Sequence, residues 1–372
     1  MERINLKIFL ILVCIMVLIC LKEIIWTQQR GGRRHYQTES NQSQPFNKLN
    51  TLKDKTEIEF IELLNKKDHL QSVRKPTGKS SNKVASEETQ EERKQRLKNF
   101  CRTNKSRSTW QYSHPEQRQI LVSDKQGLLY CTVPKVACTN WKRMFQVFEG
   151  QMRDLFSIKD KDKIHTLKYK TFFGMTEHEK LWKRGSYYSF MFVRHPFERV
   201  YSAYRNKLDK PFSHYHQKVY GSRILKMFRS NLSEIQYKKG ENVTFVEFLK
   251  FITKSYQSGG YKSLDEHWQI MTKICVPCSM KYDYIGKMET LIKDANNVLT
   301  ETGLNGKFEF PSKALDHYKE NASSLALKNF LEVPINVRRE LYEVYKDDFE
   351  AFGYTPDKYL QTVSHTNSVH QH

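Results

Sequence analysis

The run LLYCTVPKVACTNWKRMF, Leu128 to Phe145, decides the fold. Six residues of strand character reach Pro134, which cannot continue a sheet ladder, and helical spacing then takes over through Trp141, Met144, Phe145 and Phe148. A strand that passes through a tight loop into a helix is half of an α/β unit. The device recurs downstream, where the apolar strand YYSFMFV (Tyr187 to Val193) leads into RHPFERVYSAYRNKL, helical after Pro196.

Outward from these two corners the pattern is consistent. QILV (Gln119 to Val122) and a Ser123-Asp124-Lys125-Gln126-Gly127 turn make Leu128 to Val133 the second arm of a hairpin or a strand entering a core. Thr244 to Tyr256 has helical spacing opened by a Thr244/Glu247 capping box. A helix is expected around Asp265 to Cys275, and YDYIGKME (Tyr282 to Glu289) reads as a strand. Two more helices follow, one ending at Gly303 and one from Pro334 to Gly353, with proline at the start and glycine past the end. Strands alternating with helices predict α/β architecture around a central, mainly parallel sheet.

The N-terminus has a different character. Ile8 to Leu21 are 14 uncharged, almost wholly aliphatic residues between Lys7 and Lys22. As a helix from Leu6 to Trp26 the segment reaches ~31 Å, about one hydrocarbon core, with both lysines snorkelling. No small-x-small cleavage site follows, so an uncleaved signal anchor over residues 6–26 is expected rather than a cleaved signal peptide, behind a tail of residues 1–5; charge leaves its orientation open, with Arg3 and Lys7 on one side and Lys22, Arg30, Arg33 and Arg34 on the other. Residues 27–100 are rich in Gln, Lys, Ser, Asn and Glu, with one amphipathic turn near Ile58 to Leu64 and a charged helical stretch from Glu87 to Phe100. They read as a stem.

Composition narrows the classes further. A mean hydropathy of −0.70 excludes a multi-pass membrane protein, and 22 Phe, 20 Tyr and 5 Trp supply a core that a disordered chain lacks. The chain carries 62 Lys+Arg against 41 Asp+Glu, a net charge of +21, of which +14 falls beyond residue 100. Such an excess attracts polyanions without naming one. Five Asn-x-Ser/Thr sequons, at Asn41, Asn104, Asn231, Asn242 and Asn321, all follow the anchor and favour a lumenal head, where nucleic acid would not be met. Beyond the anchor stand Cys101, Cys131, Cys138, Cys275 and Cys278. Five is odd, so at least one thiol is unpaired within the chain or bridges to another. The single CxxC, Cys275 to Cys278, has neither a second CxxC nor a histidine pair and is a poor zinc site.

The chemistry lies at the corners. A strand end, a tight loop and a helix start aim backbone N–H groups and the positive end of a helix dipole at one point, where phosphate binds. In the first corner, Pro134, Lys135, Val136, Ala137, Cys138, Thr139 and Asn140, Lys135 adds a mobile charge and Thr139 a hydroxyl. This loop lacks the glycines of a Walker A sequence, and a lysine in a surface turn is its plain alternative. The second corner is Arg194, His195, Pro196, Phe197, Glu198, Arg199, Val200, Tyr201 and Ser202. There a guanidinium and a hydroxyl suit a phosphate monoester. Arg199, Arg205 and Lys207 read otherwise as a solvated helix face. Two such corners 59 residues apart are far more specific than either alone.

PKVACTN followed by RxPFERxxSAYRNK resembles the 5′-phosphosulfate loop and 3′-phosphate segment of Golgi carbohydrate sulfotransferases, most nearly the branch that sulfates the 4-hydroxyl of N-acetylgalactosamine. DEHW (Asp265 to Trp268), CVPC (Cys275 to Cys278), YDYIGKMETL (Tyr282 to Leu291) and FEAFGY (Phe349 to Tyr354) extend the resemblance. It implies a P-loop-like sulfotransferase fold over residues 101–372, the donor 3′-phosphoadenosine 5′-phosphosulfate, no metal, and a single-pass type II Golgi membrane protein. One departure is His195, where the family usually carries Asp or Glu. Donor binding is expected to survive it, with altered pH dependence.

Sulfuryl transfer needs an in-line, loose transition state, so catalysis is positioning and charge stabilisation. Lys135 is expected at the leaving phosphate. A general base must take the acceptor proton, and His165 and His267 are the candidates. For His267, beside Trp268, the alternative is a hydrogen-bonded packing residue. The expected acceptor is chondroitin or dermatan, drawn by Lys142, Arg143, Arg205 and Lys207, with terminal GalNAc on N-glycans as the alternative. A Golgi glycosyltransferase would share the anchor and stem, but its Asp-x-Asp would have to be Asp160-Lys161-Asp162 inside KDKDK, which reads as a solvated loop. A non-catalytic binder of sulfated glycans is the third class.

Overall fold

The hairpin forms and opens the sheet. β1 (Ile120–Ser123) pairs antiparallel with β2 (Leu128–Cys131), Ile120 opposite Cys131 and Ser123 opposite Leu128. β2 then pairs in parallel with β3 (Tyr188–Val193), and β3 with β4 (Tyr284–Lys287), giving the order β1-β2-β3-β4. Two of the three pairings are parallel, as the alternation of strands and helices predicts. β1 and β2 are buried throughout and β3 at all but its first residue, which is why they read as continuous apolar runs. Gly286 interrupts β4 because a Cβ there would lie 2.3 Å from the Phe192 ring.

The computed structural model describes residues 88–104, 115–158, 161–211, 213–311 and 316–362. In chain order its helices are α1 (Gln90–Thr103), α2 (Cys138–Phe148), α3 (Lys161–Thr166), α4 (Glu177–Ser186), α5 (Pro196–Tyr204), α6 (Ser222–Phe228), α7 (Glu234–Lys239), α8 (Phe245–Gly259), α9 (Met271–Cys275), α10 (Pro277–Met280), α11 (Leu291–Glu301), α12 (Asp316–Leu331) and α13 (Ile335–Phe352). Two apolar clusters result. One surrounds the sheet, with Trp141, Tyr130, Phe190 and Phe192 in mutual ring contact. The other joins α5, α8, α12 and α13 through Phe197, Phe248, Phe330 and Tyr345, with Trp268 fully buried among them.

Three features go beyond the sequence reading: two change an expectation, and the third, the cysteine pairing, agrees with one. The charged stretch assigned to the end of the stem is α1, and it completes the sheet. The Gln90 side chain both donates to and accepts from the backbone of Ile285 on the edge strand β4 (2.9 and 3.0 Å), and buried Arg93 reaches Ile285 O and Asp294 at 2.9 and 2.8 Å. The expected boundary at residue 100 therefore cuts through a helix. Second, Asp265 to Ile270 is turn, and helix covers only Met271–Cys275. The Asp265 side chain accepts the His267 N–H (3.0 Å), and Arg199 draws away the carbonyls of Glu266 and Gln269 that a helix would use. Third, the cysteines of the CxxC enter two separate disulfides, Cys101–Cys278 and Cys131–Cys275, leaving Cys138 free and buried.

The anchor, the stem up to residue 87, Asn41 and Asp160 lie outside the described residues. Among the described residues no helix is long and apolar enough to cross a membrane. Asn231 and Asn242 are exposed, whereas the Asn104 amide donates to Phe100 O and Thr103 Oγ1 (3.0 and 3.1 Å). The Asn321 side chain is outside the described set.

Candidate functional site

The two corners meet on one side of the sheet because β2 and β3 are parallel neighbours and both end there. The loop of the first corner turns without glycine. Lys135 (φ 71°) and Ala137 (φ 53°) occupy the left-handed region, which costs a non-glycine residue roughly 1–2 kcal/mol. Buried Val133 and Val136 hold the turn in place, joined by Val136 N–H to Val133 O at 3.3 Å. α2 then begins from Ala137, whose side chain offers no cap, so the first N–H groups of the helix point outward unspent. α5 likewise begins from His195 without a side-chain cap. Elsewhere, α1, α4, α7 and α8 each start with a full capping box, at Thr89, Thr176, Ser233 and Thr244.

Lys135 sits between the corners. Its Nζ donates to Asn206 Oδ1 (3.0 Å), and its backbone carbonyl faces Arg194 Nη1 at 3.4 Å. Burial pulls its ammonium down to about 8; Cys138 opposes this, and the charges of Lys207, Arg194 and Arg199 each add a lesser push in the same direction as burial. A pocket that gathers these cations suits an anion. Arg194 is itself buried, with Glu198 as a long ion pair at 3.8 Å, and its Nε has no hydrogen-bond partner. Ser202 is half-buried one helical stretch above.

The rest of the second corner faces inward. Arg199 is not a solvated residue. It is 1 % exposed, and its guanidinium donates to Pro134 O (3.0 Å), Glu266 O (2.9 Å) and Gln269 O (2.5 Å), tying the first corner to the Asp265–Ile270 turn. Phe197, Val200 and Tyr201 belong to the second apolar cluster. Glu198 is held by Ser323 and Tyr359, 2.7 and 3.1 Å away. His195 is enclosed by Phe197, Phe349, Tyr354 and Tyr359, with Nε2 3.1 Å from Thr355 O. Burial lowers it to about 4 despite Thr355 and Glu198, so it is neutral at physiological pH.

Both candidate histidines reach the site, in different states. His165 bonds Thr139 Oγ1 through Nε2 (3.0 Å) and faces Lys142 Nζ through Nδ1 (3.3 Å), so both ring nitrogens are engaged. Desolvation and the charges of Lys142, His267, Lys207 and Lys135 keep it unprotonated. His267 uses only Nδ1, which lies 2.7 Å from Asp265 Oδ1. Burial would raise the Asp265 carboxyl, but the bonds from His267 outweigh it and hold the group at about 2. An ionised carboxylate on Nδ1–H leaves the lone pair on Nε2, although burial lowers the basicity of the ring. His216 and the Tyr220 hydroxyl also face Asp265.

Asn206 and Asp265 were not read as site residues from sequence, and His216 was not read as a neighbour of Asp265. Asp265 stood inside DEHW, and Asn206 inside YRNK. His216 carried no signal at all.

Residues 118–355 match the sulfotransferase family. The chain is 34% identical over 273 residues to carbohydrate sulfotransferase 11 of Rattus norvegicus, covering 72% of this chain and 77% of that protein. It is 35% identical over 274 residues to carbohydrate sulfotransferase 9 of Homo sapiens (72% and 60%), and 34% over 278 residues to carbohydrate sulfotransferase 14 of Danio rerio (73% of each). No solved structure gives a significant match.

Proposed function

The chain belongs to the sulfotransferase family, with carbohydrate sulfotransferases among its relatives, and we propose that it moves sulfate from 3′-phosphoadenosine 5′-phosphosulfate to the 4-hydroxyl of N-acetylgalactosamine in chondroitin or dermatan. The family implies that donor and a glycan acceptor; the position sulfated and the polymer are our reading.

In this reading the uncapped N–H groups of Ala137 to Thr139 and the Lys135 ammonium hold the phosphosulfate, and Arg194 with Ser202 holds the 3′-phosphate. As the sulfuryl group leaves, negative charge grows on the bridging phosphate oxygen, and Lys135 stabilises it. His267 Nε2 takes the proton of the attacking hydroxyl, while Asp265 keeps the ring oriented and stabilises the imidazolium that forms. His165, with both nitrogens engaged, positions Thr139. The carrying observation is the Asp265–His267 pair at 2.7 Å, on which Lys207 acts as it does on Lys135.

The two disulfides accord with an oxidising lumen, and we assign the protein to the Golgi membrane with residues 6–26 as its anchor. The test is incubation of purified protein with labelled donor and a panel of desulfated acceptors, followed by disaccharide analysis. Label on the 4-hydroxyl of GalNAc in chondroitin or dermatan is expected. Transfer only to another hydroxyl, or only to terminal GalNAc of N-glycans, would overturn the acceptor assignment.

A further inference from the structure

Beside the Asp265–His267 pair stands His216, which the proposed sulfate transfer does not use. His216 enters from the helical segment Gln217–Gly221 at its cap position, Asp265 and His267 from the turn before α9. Their ligating atoms all lie within 4.8 Å of one another. His216 Nε2 is 3.8 Å from Asp265 Oδ2, and His267 Nδ1 is 2.7 Å from Oδ1, so one carboxylate faces an imidazole nitrogen with each oxygen. The rings of His216 and His267 meet edge to face, 5.0 Å between centroids. His216 is fixed by Tyr220 and Trp268, and the Asp265 and His267 side chains keep a small exposure of 14 % and 17 %.

Two imidazoles and a carboxylate are the donor set of a three-ligand zinc centre that keeps its fourth position for water. We propose that His216, Asp265 and His267 bind a divalent transition cation such as zinc, and that occupation switches off the base assigned to His267; the second half rests on the function proposed above. Ligand atoms around tetrahedral zinc are roughly 3.3 Å apart, so the widest separation here closes by roughly 1.5 Å, a matter of side-chain rotation. Lys207 bears on both imidazoles and opposes the cation, which sets the affinity below that of a structural zinc.

The switch is a change of tautomer. Without metal, the neutral His267 ring carries its proton on Nδ1, against Asp265, and Nε2 has the lone pair that accepts the sugar proton. A cation on Nδ1 needs the lone pair there. The ring proton passes through solvent to Nε2, no proton is lost overall, and the nitrogen facing the acceptor becomes a donor. The cation inhibits without displacing either substrate.

The experiment titrates cobalt(II) into metal-free full-length protein and reads its visible d–d absorption, with sulfate transfer measured in parallel under added zinc. Saturable bands at one equivalent, and loss of turnover that a chelator reverses, are expected for the wild type. His216→Gln should lose the bands and the zinc inhibition while keeping basal turnover. His216→Phe, which preserves ring packing against Tyr220 and Trp268, should do the same and covers a folding defect in the first variant. Absent bands in the wild type, or bands and inhibition that persist in both variants, overturn the site. Bands that behave as expected in a protein without sulfate transfer uphold the site and overturn the catalytic reading instead.

Discussion

The two strand-to-helix corners look alike in sequence and are used in opposite ways. In the first, strain and unspent polarity face the cleft: Lys135 and Ala137 are left-handed, α2 starts uncapped, and the lysine ammonium is pulled down by burial among cations. In the second, only Arg194 and Ser202 remain for a ligand. Arg199, Glu198 and His195 are consumed by internal partners, and Phe197, Val200 and Tyr201 are core. A contiguous motif thus divides in space into residues left without full internal partners and residues that hold the corner still.

The largest effect should come from the arginine that the fold turns inward. Arg199→Leu leaves the buried Pro134 carbonyl and the part-buried Glu266 and Gln269 carbonyls without their donor, so it should destabilise the fold by about 3–5 kcal/mol. Chemical denaturation measures this. A variant of wild-type stability with selectively weakened donor binding would erase the contrast between the corners. Lys135→Ala is the converse: unfolding should hardly change, while single-turnover rate falls by ~10² to 10³. Loss of stability with retained rate would make the lysine structural.

Arg194→Ala should weaken donor affinity by ~2 to 4 kcal/mol, read by calorimetry, because its guanidinium is buried between the corners. Unchanged affinity would leave the second corner with no part in binding. A smaller effect follows from the lysine ammonium. It is protonated below about 8 and neutral above, so kcat/KM for the donor should be flat on the acid side and fall by about tenfold per pH unit beyond that value. In Lys135→Arg, always charged, that basic limb should vanish.

The smallest concerns the acceptor. Lys142 stands in the helix after the first corner and Lys207 after the second, whereas Arg205 is paired with Asp209 at 2.9 Å and Arg143 bonds Ile158 O at 3.1 Å, so both are partly spent. Raising salt should increase the apparent Michaelis constant for chondroitin more than for a short neutral GalNAc oligosaccharide, since screening acts on distributed contacts. Equal sensitivity, with higher turnover on the neutral acceptor, would favour N-glycans.

Much of this was legible before any coordinates. The hairpin, the strands Tyr187 to Val193 and Tyr282 to Glu289, the Thr244/Glu247 box and the helix closed by Gly353 follow from periodicity and caps, which act over a few residues. The odd cysteine count required an unpaired thiol or an interchain bridge, and Cys138 is the free one. The Asp265 to Cys275 helix failed because a local helical pattern lost to a side-chain turn and to carbonyls claimed by Arg199, a residue 67 positions from Glu266.

What the sequence determined by itself, then, is every feature set by neighbours along the chain: the strands, the helix ends and the two corners as places where N–H groups would be free. The tertiary structure alone decided which charged side chains turn inward, which cysteines pair across 144 and 177 residues, and which histidine keeps a free nitrogen. The reason is physical. Backbone propensity is a local free energy, whereas desolvation and hydrogen-bond satisfaction depend on groups that only folding brings together.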